Sequence, residues 1–244
     1  MFILIDDLLF MTRVLCKQCQ RPSIACICKF ISKVDNLTTV LVLQHPSEVK
    51  QTKGTIALLS RSLSNCQVIV GEDFSQDDKV NTMLANHQAL LLYPSAESTE
   101  LSLTNNAFDG IYDKDEEKPH QPKLLIILDG TWKKAYRMFM LSSNLQALTQ
   151  VCLPEVLANS GQYLIRKVAK KNALSSLEAC CFALALIEGE LADTELVEQK
   201  VIEKNSGDKE SISMSRAVKC GLYQNLLDNF AQFNQFQLSF RPSI

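Results

Sequence analysis

The sequence predicts an α/β fold in which a mostly parallel sheet is covered by helices on both faces, with a small cysteine-rich segment near the N-terminus. Short, continuous apolar runs alternate with segments of helical periodicity along the 244 residues, and such runs are typical of strands buried on both faces. Hydrophobic residues make up 46% of the chain, which allows a sizeable core. Strands that alternate with helices indicate a parallel sheet.

Five apolar runs are the predicted strands. The segment between the first two, 55–63, is predicted as a helix because Ile56, Leu59 and Leu63 share one face. The segment 131–141 is predicted as a further helix, between the last two strands. The predicted strands are 38–46, 66–71, 89–94, 124–130 and 150–154.

The C-terminal third is predicted to be helical. Its strongest helix is 175–189, where Ser175 and Glu178 form a capping box and Gly189 lies at the C-terminal end. Two more helices are expected near 193–204 and 215–236.

The sequence contains no clear signal for a membrane span or for secretion. No apolar run approaches the roughly 20 residues that a transmembrane helix requires. The opening residues 1–11 are apolar, but they contain Asp6 and Asp7 and lack a basic residue, which argues against a signal peptide. Met11 is an alternative initiator to Met1. We therefore expect a cytoplasmic protein.

The formal net charge of −2 conceals a strong segregation of charge along the chain. Residues 11–71 carry eight Lys and Arg against two acids, and residues 123–171 repeat that balance. Residues 72–122 carry three Lys and Arg against eleven acids. Within them, residues 95–122 have the composition of an exposed loop. Two basic blocks that meet in the fold would form the kind of basic face that binds nucleic acid. The alternative, that these charges are ordinary solvated surface, stays open.

Four of the nine cysteines are predicted to bind a structural metal ion. They have the spacing C-x2-C-x6-C-x-C, which places two thiolate pairs on one short segment and suits a tetrahedral zinc site. Because the protein fills all four positions, such an ion could not activate water. An iron–sulfur cluster and free thiols remain the alternatives. The predicted ligands are Cys16, Cys19, Cys26 and Cys28, and the predicted core cysteines are Cys66, Cys152, Cys180, Cys181 and Cys220.

Polar residues and prolines follow the predicted strands at the points where the strands end. In a parallel sheet these carboxyl ends lie at one edge, where ligands bind. The apolar run 124–128 ends in Asp129, which we therefore expect to meet a ligand. Local sequence leaves alternatives open: Asp129 as the cap of the next helix, His45 as a satisfied strand-end histidine, and Trp132 as a core residue. The segments concerned are His45-Pro46-Ser47-Glu48, Tyr93-Pro94, Asp129-Gly130-Thr131-Trp132 and Leu153-Pro154.

The order of these motifs resembles the DTW-domain family of tRNA-uridine aminocarboxypropyltransferases. The shared features are the four-cysteine segment, HPSE, YP, DGTW and IRK…LSSLEA, and they cover residues 16 to about 190. The motif that gives the family its name is present here as Asp129-Gly130-Thr131-Trp132. One departure is KGT at 53–55, where many relatives carry an Asn-Thr pair, so the ligand contacts of that loop are not carried over.

The resemblance implies an enzyme that uses S-adenosylmethionine as donor substrate. It would transfer the 3-amino-3-carboxypropyl group to N3 of a tRNA uridine, in the variable loop or the D-loop, and release methylthioadenosine. It also implies a fold related to the SPOUT methyltransferases, with a trefoil knot. On this basis residues 1–34 form an N-terminal extension and zinc knuckle, and residues 35–244 form the catalytic domain. A SPOUT-type RNA methyltransferase and a non-enzymatic zinc-knuckle RNA-binding protein stay open as alternatives, and no obligate protein partner is expected.

The chemistry of the reaction that the resemblance implies suggests roles for individual residues. Asp129 is the candidate general base or the group that orients the uracil edge, and Trp132 is a candidate ring for stacking on a splayed base. The basic segment before Ser175 and Ser176 precedes a helix N-terminus, which favours an anion such as the donor's carboxylate or a tRNA phosphate, with a solvated basic turn as the alternative. The predicted donor site comprises His45, Pro46, Glu48, Tyr93, Pro94, Asp129, Gly130, Thr131, Arg166, Ser175 and Ser176, and the predicted tRNA contacts are Arg166, Lys167, Lys170 and Lys171.

Overall fold

The structure is a computed structural model that describes most of the chain. It describes residues 14–51, 54–103, 108, 121–158, 174–191 and 219–240, and the backbone alone for 196–199 and 213–216. Within these residues, no helix combines the length and the apolar character that crossing a membrane requires.

The centre of the fold, within the described residues, is a six-stranded sheet in which every neighbouring pair of strands is parallel. The strands are β1 (Thr39–Gln44), β2 (Cys66–Val70), β3 (Gln88–Leu92), β4 (Thr99–Glu100), β5 (Lys123–Asp129) and β6 (Thr149–Cys152). Their order across the sheet is β2-β1-β5-β3-β6-β4, so β1 and β5 are neighbours near the middle. The five strands predicted from apolar runs are confirmed, and the short β4 is an addition within the acidic stretch. Because all strands run the same way, their carboxyl ends lie at one edge.

Helices connect these strands and cover the sheet. The described residues form α1 (Ile56–Ser62), α2 (Asp78–Asn86), α3 (Trp132–Leu141), α4 (Ser143–Gln146), α5 (Glu155–Ala158), α6 (Ser176–Ile187) and α7 (Gln224–Leu238). The predicted helices 55–63, 131–141 and 175–189 correspond to α1, α3 and α6 and are confirmed. The sequence does not predict α2, because only Val80 and Met83 mark its buried face. The N-cap of that helix is Asp77, whose side chain accepts a hydrogen bond from the Val80 N–H.

The strands distribute their side chains between two hydrophobic cores, one on each face of the sheet. In β1, Val40 and Val42 pack with α1, α6 and α7, whereas Leu41 and Leu43 pack with α2, α3 and α4. The two sides are named here the α6 face and the α3 face. This alternation follows from strand geometry, since successive side chains point to opposite faces. The prediction of helices on both faces is confirmed.

Three of the predicted core cysteines are fully buried in the α6 face. These are Cys180, Cys181 and Cys220, whereas Cys66 and Cys152 are half-buried. Burial raises the pKa of Cys66 and of Cys220 to about 12, so these two thiols stay protonated at neutral pH.

The C-terminal third departs from the helical prediction. Residues Leu196–Gln199 form a strand, β7, which pairs antiparallel with β8, Ser213–Arg216. The predicted helix at 193–204 is therefore wrong over β7. The predicted helix at 215–236 is wrong at its start, which lies in β8, and α7 begins only at Gln224. A short amphipathic segment forms a marginal helix by itself, and pairing with a second strand overrides that propensity.

The residues that follow the four-cysteine segment pack against the C-terminal helix. The Phe30 ring lies 5.5 Å from the ring of Phe233 and 5.4 Å from that of Phe236, both on α7. Lys29 Nζ lies 4.4 Å from the centroid of Phe236, a cation–π geometry. Ile27 and Phe30 belong to the core of the α6 face. The N-terminal segment and α7 therefore share one core, and the domain boundary at residue 34 stays a prediction.

A partly buried hydrogen-bond network ties the C-terminal region to the start of β1. The Tyr223 hydroxyl donates to Glu188 Oε2 at 2.6 Å, and the Thr38 backbone N–H donates to Glu188 Oε1 at 2.8 Å. Tyr223 is fully buried, and burial together with this hydrogen bond raises its pKa, so the phenol remains a donor. Glu188 ends α6 and Tyr223 precedes α7, so the network joins these two helices to the sheet.

Replacement of Tyr223 by Phe is expected to destabilise the fold. Tyr223→Phe removes a buried donor and deprives Glu188 Oε2 of this hydrogen bond, at a cost of about 1–3 kcal/mol. For a chain of this length, that cost lowers Tm by roughly 2–12 °C. The measurement is thermal unfolding followed by circular dichroism. Tyr136→Phe, the same change at an exposed tyrosine of α3, should leave Tm unchanged, and equal Tm values for the two variants would contradict the prediction.

Candidate active site

The candidate site lies where β1 and β5 end, at the centre of the carboxyl edge of the sheet. The strand register pairs Gln44 with Asp129 as the last residues of the two strands. The His45 backbone N–H donates to the Asp129 carbonyl oxygen at 3.0 Å, so the pairing extends one residue beyond β1. The edge therefore brings together the residues that follow the two central strands.

The Asp129 carboxylate receives a hydrogen bond on each of its oxygens. The Gln44 amide nitrogen donates to Oδ2 at 2.9 Å, and the Ser176 hydroxyl donates to Oδ1 at 2.7 Å. Asp129 is only 9% exposed, although it ends a strand. The two donors fix the orientation of the carboxylate.

The four residues of the DGTW motif have separate structural roles, and Asp129 is not the cap of the helix that follows. The N-cap of α3 is Thr131, whose hydroxyl accepts from the Lys134 N–H at 3.4 Å. Gly130 allows a close approach, because a Cβ there would lie 3.0 Å from Lys134 Cβ and 3.7 Å from His45 Cβ. The cap alternative for Asp129 is therefore excluded.

The N-terminus of α6 faces Asp129. The predicted capping box is present, since the Glu178 N–H donates to the Ser175 hydroxyl at 3.2 Å and the Ser175 N–H donates to Glu178 Oε2 at 2.7 Å. Ser176, which binds Asp129, is the first residue of α6. The Asp129 carboxylate is thus itself an anion at a helix N-terminus, a position that the helix dipole stabilises. A further anion here would have to bind the N–H groups of Ser176 and Leu177.

His45 lies beside Glu72, and its contacts identify its tautomer. The Ser47 N–H, which can only donate, lies 3.2 Å from His45 Nδ1, so Nδ1 is the acceptor nitrogen. In the neutral ring the proton is therefore on Nε2, which lies 3.1 Å from Glu72 Oε1. Arg137 Nε donates to the other oxygen of Glu72, also at 3.1 Å. Glu72 thus links the end of β1 to α3.

A second ion pair joins the turn after β1 to α3. Lys134 Nζ lies 2.7 Å from Glu48 Oε1, and Glu48 is buried. Glu48 belongs to a short 3-10 helix, Pro46–Glu48, which His45 caps. Burial of a carboxylate is costly unless it is paired, so the contact with Lys134 fixes the position of this turn.

Aromatic side chains lie along α3 near the same edge. Trp132 is the first residue of α3 and is 65% exposed, so the core alternative for it is wrong. Tyr93 follows β3 and stacks on Phe139 of α3, with ring centroids 4.9 Å apart. Partial burial, with a smaller effect from Tyr136, raises the pKa of Tyr93. Pro94 is exposed. An exposed indole at this edge is accessible to a ligand.

Strand alternation divides the site into two halves. Gln44 and Asp129 continue the rows of side chains that face α6, and their contact Ser176 lies on that helix. His45 and Tyr93 continue the rows that face α3. The predicted residues therefore form two groups, Asp129, Ser175 and Ser176 on the α6 side and His45, Pro46, Glu48, Tyr93 and Trp132 on the α3 side.

Four predicted contacts lie outside the described residues. These are Arg166, Lys167, Lys170 and Lys171, and Lys53 of the KGT segment also lies outside them. Their roles stay predictions.

Four polar residues of this site were not predicted from the sequence. Gln44 ends an apolar strand and Glu72 follows another by two residues, so the rule that identified Asp129 applies to both. Lys134 and Arg137 are three residues apart on α3. The sequence does not indicate the roles of these two cations, because their carboxylate partners, Glu48 and Glu72, come from distant parts of the chain.

The four cysteines near the N-terminus converge on a site for one metal ion. Their Sγ atoms all lie within 4.8 Å of one another. The Sγ atoms of Cys16 and Cys28 are 3.6 Å apart, and those of Cys19 and Cys26 are 3.7 Å apart. A tetrahedron with metal–sulfur bonds of about 2.3 Å has edges of about 3.8 Å, so these distances fit a four-thiolate site. The four thiols do not titrate alike: the backbone N–H groups of Cys19 and Gln18 lower the pKa of Cys16 to about 6, whereas desolvation and the neighbouring thiols raise the pKa of Cys28 to about 12. A cation held among them would favour the thiolate form of all four.

Comparison with known proteins yields both a family and individual relatives. A protein named tRNA-uridine aminocarboxypropyltransferase 2, from Macaca fascicularis, is 32% identical over 179 residues, covering 71% of this chain and 56% of that protein. The protein of that name from Mus musculus is 31% identical over 185 residues, with the same coverage. This chain thus spans about half the length of these two relatives, at 56% of each. An Arabidopsis thaliana protein, tRNA-uridine aminocarboxypropyltransferase A, is 26% identical over 208 residues, and the match covers 78% of this chain and 77% of the Arabidopsis protein.

The family match extends over nearly the whole chain, whereas no solved structure matches significantly. The model of the DTW domain aligns with residues 13–238, a range that includes the four cysteines, the sheet and α7. On this match, the chain belongs to the DTW domain family.

Proposed function

We propose that this protein is a tRNA-uridine aminocarboxypropyltransferase. Its family and the names of relatives from three animals and a plant support the proposal. The observation that carries it is the Asp129 carboxylate, which is buried, oriented by two donors and located at the carboxyl edge of a parallel sheet. A module that only binds RNA would not need an oriented carboxylate there.

The proposed donor is S-adenosylmethionine, and the proposed acceptor is N3 of a tRNA uridine in the variable loop or the D-loop. In the reaction, N3 forms a bond to the γ-carbon of the donor's methionine moiety, while the bond between that carbon and the sulfonium sulfur breaks. The bonding electron pair stays on sulfur, which leaves as neutral methylthioadenosine, and the N3 proton passes to a base. All three carbons on the sulfonium are electrophilic, so the geometry of binding decides which one reacts.

Asp129 is the proposed base, or the group that orients the uracil edge. Uridine N3 carries a proton at neutral pH and is a poor nucleophile until that proton leaves. An ionised carboxylate within hydrogen-bond reach is suited to accept it. Gln44 and Ser176 hold the carboxylate in one orientation, which is what proton transfer in a fixed geometry requires. Trp132 is the proposed stacking partner of a splayed base, and its exposure permits that contact.

The donor's carboxylate and the tRNA backbone require cationic partners. At the N-terminus of α6 the Ser175 N–H binds Glu178 and the Ser176 hydroxyl binds Asp129, so the proposed partners of the donor's carboxylate are Arg166 and the N–H groups of Ser176 and Leu177. The other proposed residues of the donor pocket are His45, Pro46, Glu48, Tyr93, Pro94, Gly130 and Thr131, and the proposed contacts to tRNA phosphates are Lys167, Lys170 and Lys171.

We further propose that the fold is a SPOUT-related arrangement with a trefoil knot and that the chain divides into residues 1–34 and 35–244. The proposed location is cytoplasmic. The four-thiolate site is proposed to hold a structural zinc ion, for which its ligand set and sulfur spacing are suited.

Nucleoside mass spectrometry of tRNA tests the proposed function. An aminocarboxypropyl-uridine should disappear from tRNA of a strain that lacks the gene and return when the gene is expressed again. The purified protein should release methylthioadenosine from S-adenosylmethionine in the presence of that tRNA. Release of S-adenosylhomocysteine would instead identify a methyltransferase, and a lack of donor affinity in calorimetry would identify an RNA-binding protein. Persistence of every such nucleoside in the deletion strain would refute the proposal.

Loss of one ligand is expected to remove zinc and to lower stability. The purified protein should contain about one zinc ion per chain, since four thiolates complete one tetrahedral site. Cys19→Ser should lower the zinc content and Tm together, because metal binding is coupled to local folding. Elemental analysis and thermal unfolding measure the two quantities. Cys152→Ser, at a half-buried cysteine outside the cluster, is the control, and an unchanged Tm in metal-free wild-type protein would contradict the prediction.

Removal of the charge at Asp129 is expected to abolish most of the turnover without unfolding the protein. Asp129→Asn keeps the shape of the side chain, and the amides and hydroxyls of its neighbours can reorient to satisfy it. If Asp129 accepts the N3 proton, the rate of transfer should fall by roughly 10²–10⁴-fold, the usual worth of general-base catalysis. Single-turnover transfer, measured together with Tm and donor affinity on the same preparation, tests this.

A matched control for this variant is Asp77→Asn, which removes the same charge from the cap of α2. Asn caps a helix about as well as Asp, so this control should retain its transfer rate and its Tm. Transfer by Asp129→Asn at a rate close to that of the control would assign Asp129 a purely structural role.

A further inference from the structure

The outer face of α3 carries a stripe of exposed apolar side chains. Trp132, Tyr136 and Met140 are 65%, 57% and 51% exposed. Residues that are four apart lie on the same side of a helix, about 6 Å from one another along its axis. These three residues, named here the α3 stripe, form a continuous apolar row of the kind that marks an interaction surface.

Positive charge flanks the α3 stripe. The helix contains Lys133, Lys134 and Arg137 and no acidic residue. Lys134 pairs with the buried Glu48, whereas Lys133 is exposed. Arg137 contacts Glu72 through Nε, and its side chain remains largely exposed. Cations interleaved with aromatic rings suit single-stranded RNA, because phosphates contact the cations while bases stack on the rings.

The α3 stripe begins at the candidate active site. Trp132 follows Asp129 by three residues, at the carboxyl edge of the sheet. Tyr136, one turn further along α3, is close enough to Tyr93 to influence its ionisation, and Tyr93 also follows a strand at that edge. An RNA loop that brings one base to this edge would therefore place the adjoining nucleotides over α3.

A second copy of this chain fits the α3 stripe less well than RNA does. In a two-fold symmetric contact the same patch of each copy faces the other, so the cations Lys133 and Arg137 of one copy would approach those of the second copy. Like charges that are brought together oppose such a contact. RNA carries the opposite charge and offers flat bases to the rings.

We propose that the α3 stripe is a docking surface for the unpaired nucleotides next to the modified uridine. This inference rests on the proposed function and extends it, because it states that the protein recognises a splayed loop rather than a duplex. Trp132 contacts the base nearest the active site, Tyr136 stacks on the next base outward, and Met140 extends the apolar row. Lys133 and Arg137 contact the phosphates between them.

Fluorescence of the single tryptophan reports directly on this surface. Trp132 is the only tryptophan in the chain, so the intrinsic tryptophan fluorescence reports on ligand binding at the α3 stripe, and no added label is needed. Addition of a short, unstructured oligouridylate, or of substrate tRNA, should quench it to saturation. Tyr136→Ala should weaken the affinity for both RNAs by roughly 5- to 150-fold, the cost of one lost base–aromatic stack. Tyr136→Phe keeps the ring and should bind as the wild type does.

Two further variants complete the experiment. Leu37→Ala removes a side chain that is 82% exposed elsewhere on the surface and should leave the affinity unchanged. Lys133→Gln should reduce the slope of log affinity against log salt by about 0.7, the value for one phosphate contact to a single strand. Thermal unfolding of each variant verifies that the fold is retained.

The outcomes separate this inference from the proposed function. An unchanged affinity of Tyr136→Ala for the oligouridylate would overturn the inference, whether or not the wild type modifies tRNA. Dissociation of a dimer by Tyr136→Ala in sedimentation, with RNA affinity unchanged, would overturn it in favour of a second copy. If the wild type transfers no aminocarboxypropyl group but Tyr136→Ala still loses RNA affinity, the function is refuted and the docking surface stands.

Discussion

The in-register pairing of β1 with β5 is the constraint on which the site depends. Because these strands are parallel neighbours that end at the same level, Gln44 and Asp129 lie side by side on the α6 face and their side chains can bond. A slip of one residue in either strand would turn one of the two side chains to the opposite face of the sheet. The His45 N–H adds a further contact beyond the last pair. Apolar contacts in the sheet thus determine the geometry of the polar groups at its edge.

Burial of charge at the ends of apolar strands is costly, and neighbouring elements offset that cost. A carboxylate removed from water needs partners, and Asp129 has an amide, a hydroxyl and the N-terminus of α6. Glu48 has Lys134 on α3. In both cases a partner belongs to a helix on one face of the sheet. The contacts that make the buried charges tolerable therefore also hold α6 and α3 against the ends of β1 and β5.

Features that depend on adjacent residues could be predicted from the sequence, whereas those that depend on distant pairing could not. Each strand is a short apolar run, the α6 cap needs only Ser175 and Glu178, and the four cysteines lie within one short segment. The β7–β8 pair depends on two segments that are separated in the chain. Asp129 was predictable as a ligand-facing residue. Its partners Gln44 and Ser176 are 85 and 47 residues away, so local sequence could not exclude a capping role.

The packing of Phe30 on Phe233 and Phe236 joins a part of the chain that the ribosome makes early to a helix that it makes late. Roughly 200 residues separate the two, which at about 5–20 residues per second takes some 10–40 s to synthesise. Until α7 is made, Phe30 lacks the two rings against which it packs. The four cysteines, by contrast, lie within one short segment, so the proposed zinc ion can bind to the nascent chain before α7 is synthesised.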